Sequence, residues 1–309
     1  MIAATVPETA TTRRIVLAKV AGFCFGVRRA VDITEAARAQ RRGRMTVLGM
    51  LVHNEQVIER MRESGIDSAG SLDAVEEGAV VVSAHGAAPG VRASAKEKGL
   101  DVVDVTCPFV TRVHRCARAL HEQGYQVVLV GDRDHTEVRG VVGAVEAIGG
   151  SVLVVSSVEE ARSLPLGKRV GVVSQTTQRA ELFSAIVAEV GRRAGDVRAI
   201  NTICNATDEL QAAAVELAAR VDVAIVVGGA NSANTKRLRE LCASAGIPAY
   251  RVQGPEEIRE EWLEGKESIG ITAGASTPDW IIEEVARRLN GGSLPSDWSL
   301  RHPDERLRV

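Results

Sequence analysis

The chain has 309 residues, with 38 Lys and Arg against 40 Asp and Glu and a formal net charge of −2. So even a balance offers no basic field for nucleic acid or for an anionic membrane surface, and no apolar run approaches membrane-spanning length. With 45% hydrophobic residues, a chain of this size has room for two or three α/β units around sizeable cores.

Met1 to Arg14 is rich in Thr and Ala, contains Pro7 and lacks the apolar stretch of a secretory signal. It reads as a flexible lead-in. Five scattered cysteines make no disulfide framework, so a cytoplasmic setting is expected. The apolar run Ile15–Val20 predicts a buried strand, and Val27, Ala30, Val31, Thr34 and Ala37 then fall on one helical face. Between them lies Gly22-Phe23-Cys24-Phe25-Gly26, a strand-to-helix turn of the kind where open α/β sheets bind ligands. The flanking glycines let a bulky group approach. One cysteine in such a turn reads equally well as a packed core thiol.

Further strand-length apolar runs follow at Met45–Gly49, Ala79–Ser83, Gln126–Gly131, Val152–Ser156, Arg169–Ser174, Val221–Gly228, Ile247–Val252 and Ser268–Ala273. Several are continuous Val, Ile and Leu, as in parallel strands buried on both faces. Helical patterns alternate with them at Asn54–Ser64, Ala88–Lys98, Arg179–Arg193, Glu256–Glu264 and Asp279–Leu289. That alternation predicts right-handed βαβ crossovers. Residues 291–309, rich in Gly, Ser, Pro and Arg, are expected to fray.

The turn at Cys24 has two counterparts. Leu100–Thr106 runs into Cys107-Pro108, and Asp196–Ile203 runs into Cys204, each followed by a helical pattern. Cys116 and Cys242 fall inside helical patterns and read as packing residues. One strand-end cysteine per third of the chain suggests three similar modules: residues 25–107, 108–200, and 201–290 joined by the strand 14–24. Three converging thiolates without an equivalent fourth ligand suit a zinc ion or an iron–sulfur cluster with one open position. Redox thiols and simple packing are the alternatives.

His53, His85 and His135 also stand at strand ends and suggest donors around a pocket. His114, His121 and His302 read as surface residues. The turns Gly228–Asn234, Thr272–Asp279 and Ser174–Thr177 offer Ser, Thr and Asn side chains at helix N-termini, where an anion or a plain helix cap is accommodated. Together with the histidines they suit a phosphate or diphosphate. Glu137 reads as a proton donor if buried, or as an acid favoured by a helix start. No GxGxxG and no Walker A loop is present, so bound nicotinamide or ATP is not indicated.

Nine stretches in this order resemble one family. They are Gly22–Val27, Leu51–Asn54, Ser83–Gly86, Asp104–Pro108, His135–Val138, Gln175–Thr177, Cys204–Thr207, Asn231–Asn234 and Thr272–Ser276. They resemble the IspH (LytB) family of 4-hydroxy-3-methylbut-2-enyl diphosphate reductases over about Val16 to Leu289. The resemblance implies a trefoil of three α/β domains, with mostly parallel sheets, around a 4Fe-4S cluster held by Cys24, Cys107 and Cys204. It implies that His53, His85, His135, Ser232, Asn234 and Ser276 hold the diphosphate, that Thr176 contacts the hydroxyl region and that Glu137 delivers protons. The implied activity is reductive dehydroxylation to isopentenyl and dimethylallyl diphosphate, with electrons from an external donor such as ferredoxin or flavodoxin. Asp132-Arg133-Asp134, Thr136, Ala233 and Arg28 depart from the family pattern without removing an implied cluster ligand or the acid. A paralogue acting on another diphosphate, a three-Cys zinc hydrolase and a diphosphate sensor are the competing readings.

Overall fold

A computed structural model describes residues 13–303. In chain order the strands and α-helices among them are β1 (Arg14–Leu17), α1 (Phe25–Ala39), β2 (Met45–Leu48), α2 (Glu55–Glu63), β3 (Asp67–Ala69), β4 (Ala79–Val82), α3 (Pro89–Glu97), β5 (Asp101–Asp104) and α4 (Pro108–Glu122). There follow β6 (Gln126–Val130), α5 (Thr136–Glu146), β7 (Val152–Val155), α6 (Val158–Ser163), β8 (Arg169–Ser174), α7 (Ala180–Gly191) and β9 (Asp196–Ala199). The last are α8 (Asn205–Ala218), β10 (Val223–Val227), α9 (Ala233–Ser244), β11 (Ala249–Val252), β12 (Ser268–Ala273) and α10 (Asp279–Leu289).

The strands form three four-stranded sheets, ordered β3-β2-β4-β5, β7-β6-β8-β9 and β11-β10-β12-β1. Every pairing is parallel. The three therefore share one plan: second, first, third and fourth strand side by side. In the third sheet the fourth place is taken by β1, which arrives from the other end of the chain and pairs Arg14–Leu17 with Ser268–Ile271. The strand order reverses between the first and third strand of each sheet, so every sheet has a topological switch point.

The chain divides into two compact units, one made of the N-terminal segment through Gly22 with Leu210–His302, the other containing Phe23–Glu209. In the first, Val223–Val227 and Ser268–Ala273 are buried along their whole length. Each fully buried Val or Ile there contributes about 1.5–3 kcal/mol relative to exposure. In the second, Val127, Val128, Leu129 and Val130 of β6 are fully enclosed. They feed two separate cores: Val127 and Leu129 meet α4 and α5, while Val128 and Val130 meet α7. Continuous Val-rich runs are thus strands with a core on each face.

Two expectations are corrected. The pattern at Glu256–Glu264 forms two short 3-10 turns, Pro255–Glu257 and Glu260–Trp262. Acidic side chains compete there with helical bonding: the Glu257 carboxylate accepts the Gln253 N–H at 2.9 Å. Residues 291–303 are held rather than frayed. Leu294, Trp298 and Leu300 pack on the core of their unit, and the Ala21 N–H donates to the Arg301 carbonyl at 2.9 Å. Residues 1–12 and 304–309 lie outside the described residues. The short strand Asp67–Ala69 carries no apolar run that sequence periodicity could detect.

Candidate active site

The fourth strand of each sheet leads to one of the three cysteines. Cys24 is the N-cap of α1 and Cys107 the N-cap of α4, with Pro108 opening that helix as expected. Cys204 directly precedes α8. A capping position aims the side chain at the free N–H groups of the first helical turn. Neither the Cys24 nor the Cys107 side chain makes a capping hydrogen bond, but nearby backbone N–H groups of Val27 and Gly26, and of Phe109 and Val110, favour their thiolate forms. The Thr207 hydroxyl lies 3.0 Å from the Cys204 sulfur.

The two thiol turns in the 23–209 unit that follow β5 and β9 are stitched to the turn after the neighbouring strand. The Cys107 N–H donates to the Ala84 carbonyl at 3.0 Å, and the Cys204 N–H to the Thr176 carbonyl at 2.9 Å. Cys107 is thereby held beside the His85 turn and Cys204 beside Thr176. Gly26 is required for a different reason: a Cβ there would overlap the Cys107 sulfur. The bulky group that this glycine admits is another thiol.

The three thiols are partly buried and none is in a disulfide. Burial pushes all three up, Cys107 to about 11 and Cys204 to about 12, and at those two the charge of a neighbouring thiolate adds to this. They are close enough to feel one another. Among the described residues, the only set of three or more potential ligand atoms all within 4.8 Å of one another is that of His53, His85 and His135.

Those histidines occupy the turns after β2, β4 and β6. Their ring centroids are 4.2, 5.2 and 5.6 Å apart. His135 caps α5, and its Nδ1 accepts the Glu137 N–H at 3.2 Å. That bond settles the neutral tautomer, since the proton must then sit on Nε2. Nε2 lies 3.3 Å from Nε2 of His53, which accordingly accepts. His85 donates to the Met50 carbonyl. Burial lowers all three, His135 to about 4, and His85 is pushed well down with its neighbours' charges adding to burial. The cluster is neutral at pH 7 and presents an N–H where a metal ion would need a lone pair. Its chemistry favours an anion.

Glu137, in the first turn of α5, is 2% exposed. Its carboxyl group accepts the Thr176 N–H at 2.7 Å and the Thr176 hydroxyl at 2.8 Å. Burial raises it to about 7, against the lowering effect of those two bonds. Gln175 holds the turn opposite, its Oε1 accepting the Asp132 N–H at 3.1 Å and its amide donating to Thr177 at 3.2 Å.

In the other unit, Ser232 caps α9 by accepting the Thr235 N–H at 3.2 Å, which leaves its hydroxyl proton available. Asn234 is 5% exposed, and neither its amide oxygen nor its nitrogen meets a partner among the described residues. Two buried amide atoms in that state cost several kcal/mol unless something else is bound, about 1–3 kcal/mol for each. Ser276 is buried in the turn after β12.

A family model described as LytB protein matches residues 15–290. The chain is 45% identical over 277 residues to the 4-hydroxy-3-methylbut-2-enyl diphosphate reductase of Pelobacter propionicus, across 89% of this chain and 97% of that one. It is 41% identical over 275 residues to the reductase of the same name from Aquifex aeolicus, covering 89% and 95%. The chain belongs to the LytB family. A solved structure of (E)-4-hydroxy-3-methyl-but-2-enyl diphosphate reductase, the terminal enzyme of the non-mevalonate pathway, superposes with a TM-score of 0.70 at 40% identity, covering 90% of this chain and 99% of that one. The corresponding reductase from Plasmodium falciparum superposes with a TM-score of 0.83 at 26% identity, covering 96% and 94%.

In this LytB chain the expected residues follow the sheet plan. First and third strands of the three sheets deliver His53 and His85, then His135 and Thr176, then Ser232 with Asn234 and Ser276. Fourth strands deliver the cysteines. The 23–209 unit brings together Cys24, Cys107, Cys204, His53, His85, His135, Glu137 and Thr176, while Ser232, Asn234 and Ser276 lie in the other unit. Sequence reasoning missed Thr207, although its place three residues after Cys204 in a helical start was a usable signal. It also misjudged His114, which is half-buried in α4 with Nε2 unpartnered, and which burial lowers to about 4.

Proposed function

We propose that this chain removes the C4 hydroxyl of (E)-4-hydroxy-3-methylbut-2-enyl diphosphate as water, giving isopentenyl and dimethylallyl diphosphate. The net change consumes two electrons and two protons, breaks the C4–O bond and forms one C–H bond. One observation carries the reading: a carboxyl group that burial raises to about 7, held in place by Thr176, in the same unit as three thiols at helix starts and a neutral three-imidazole cluster.

Cys24, Cys107 and Cys204 would hold a 4Fe-4S cluster at three of its irons. The donor set fits such a group: three soft sulfur ligands at helix starts in one unit, with Gly26 leaving the room beside the Cys107 sulfur that a Cβ would fill. When bound, the cluster supplies electrons and a Lewis-acidic iron for the C–O cleavage. The electrons would come from an external carrier such as ferredoxin or flavodoxin.

The protein's own residues supply binding and protons. The diphosphate would replace His53 Nε2 as acceptor of the His135 Nε2–H, with His53 and His85 beside it, and Ser232, Asn234 and Ser276 would donate to it. An arriving anion favours the protonated imidazoles and offsets their burial. Glu137 is about half protonated at neutral pH and gives up its proton inside the site. Both oxygens of the resulting carboxylate already accept hydrogen bonds from Thr176, so the anion is stabilised without rearrangement. Among the described residues no helix is long and apolar enough to cross a membrane; a cytoplasmic enzyme is the setting we propose.

The test is an anaerobic assay with a chemical reductant, following loss of the hydroxylated diphosphate and appearance of both products, beside iron and acid-labile sulfide analysis. Turnover by brown protein with four irons per chain is expected. A colourless zinc protein, or an iron–sulfur protein that binds the substrate and leaves it unchanged, would refute the proposal.

A further inference from the structure

Arg92 lies on α3, away from every residue proposed above to touch substrate or iron. Its guanidinium nevertheless meets three acceptors on two different turns. Nε donates to Asp104 Oδ2 at 2.6 Å, one terminal nitrogen to the Ala87 carbonyl at 3.0 Å, and the other to the Thr106 hydroxyl at 3.2 Å. Ala87 is two residues beyond His85, and Thr106 immediately precedes Cys107. Asp104 closes the far side, accepting both the backbone N–H of Thr106 at 2.9 Å and its hydroxyl at 2.5 Å. The Thr106 carbonyl in turn accepts from Arg29 at 3.3 Å, on the helix that Cys24 caps.

We propose that Arg92, with Asp104 and Thr106, is a positioning unit that sets the His85 imidazole and the Cys107 sulfur in register with each other. The inference rests on the function proposed above. It is drawn from the shape of the network. A planar guanidinium offers donors in fixed directions, so acceptors on two turns cannot drift independently while both are engaged. An ordinary partly exposed ion pair adds little stability, and this one is partly exposed, with 29% and 38% of its two side chains accessible. Its contribution is to geometry. The other end of β5 provides the contrast: Arg41, just past the end of α1, pairs with Asp101 at 2.7 Å, and it donates also to the Ala37 carbonyl in the last turn of that helix, four residues back.

The experiment compares Arg92→Gln, Arg92→Lys and Arg41→Gln as anaerobically purified, cluster-loaded protein. Three quantities are read: the electron paramagnetic resonance signal of the reduced cluster, the equilibrium dissociation constant for inorganic pyrophosphate, and KM against kcat. Arg92→Gln should keep its iron and melt close to wild type. It should shift the resonance signal and weaken both pyrophosphate binding and KM about tenfold, the scale of one charge-assisted hydrogen bond. Arg41→Gln should change none of the three. The two sites must respond together; a shift in pyrophosphate binding alone, or in the signal alone, overturns the coupling. If Arg92→Gln does not fold, Arg92→Lys carries the test. It keeps the charge facing Asp104 but cannot reach both turns, and wild-type values from it overturn the proposal. A wild-type chain lacking iron and sulfide would instead sink the proposed function, so the two failures are distinguishable.

Discussion

Within the 23–209 unit the thiols and the imidazoles answer to the same force with opposite results. Burial disfavours whichever form is charged. It raises Cys24, Cys107 and Cys204, so the ligand-free thiols stay protonated, and it lowers His53, His85 and His135, so the ligand-free imidazoles stay neutral. Neither cluster can keep its charge without a guest. The thiols need a cation that displaces their protons; the imidazoles need an anion that supplies a reason to hold one. Glu137 stands between these regimes, raised to about 7, where it can give and regain a proton at neutral pH.

The comparison breaks most completely at the thiols. Cys204→Ser should lose most of its iron and all measurable turnover while pyrophosphate still binds through the histidines. Iron analysis and calorimetry on the same sample check this, and a loaded, active Ser variant would show that the sulfur is not a ligand. The next effect in size is at the acid. Glu137→Gln keeps the Thr176 hydroxyl engaged and should retain the cluster and substrate binding, yet kcat should fall by about 10²–10⁴-fold, the usual contribution of a positioned general acid. The pH profile sharpens this. Because Glu137 must be protonated, the wild-type rate should decline as pH rises through about 7, and that limb should be missing from the residual activity of the Gln variant.

The smallest effect concerns the imidazoles. All three are held below the ordinary histidine range in the free chain, so an anion that raises them must bring protons with it. Pyrophosphate binding should therefore take up protons between about pH 5 and 7, and affinity should increase as pH falls across that window. Calorimetry in two buffers of different ionisation enthalpy counts those protons. His85→Asn should reduce the count, and an unchanged count would show that His85 stays neutral in the complex.

Much of this was legible locally. A helix N-cap is decided by a few consecutive residues, so the places of Cys24 and of Cys107 before Pro108 could be read without tertiary information, as could the Ser232 cap. Continuous Val-rich strands announced parallel sheets. Glu256–Glu264 misled because spaced apolar residues mimic helical periodicity, while the competing bonds of Glu257 run to the backbone of Gln253, outside the pattern. Residues 291–303 misled because composition speaks of flexibility, whereas three apolar side chains found an existing core to pack against.

Sequence alone determined which residues end strands and open helices, and it carried the family likeness, because both depend on short stretches of chain. Tertiary structure decided the electrostatics. The thiols lie some 80 to 100 residues apart along the chain and acquire their mutual repulsion only when the fold of the 23–209 unit brings them together. Glu137 gains its raised pKa only from the burial that folding imposes, while Thr176, 39 residues on, holds the carboxyl group and partly offsets the rise. Burial and dielectric belong to a place in space, and a linear sequence does not contain them.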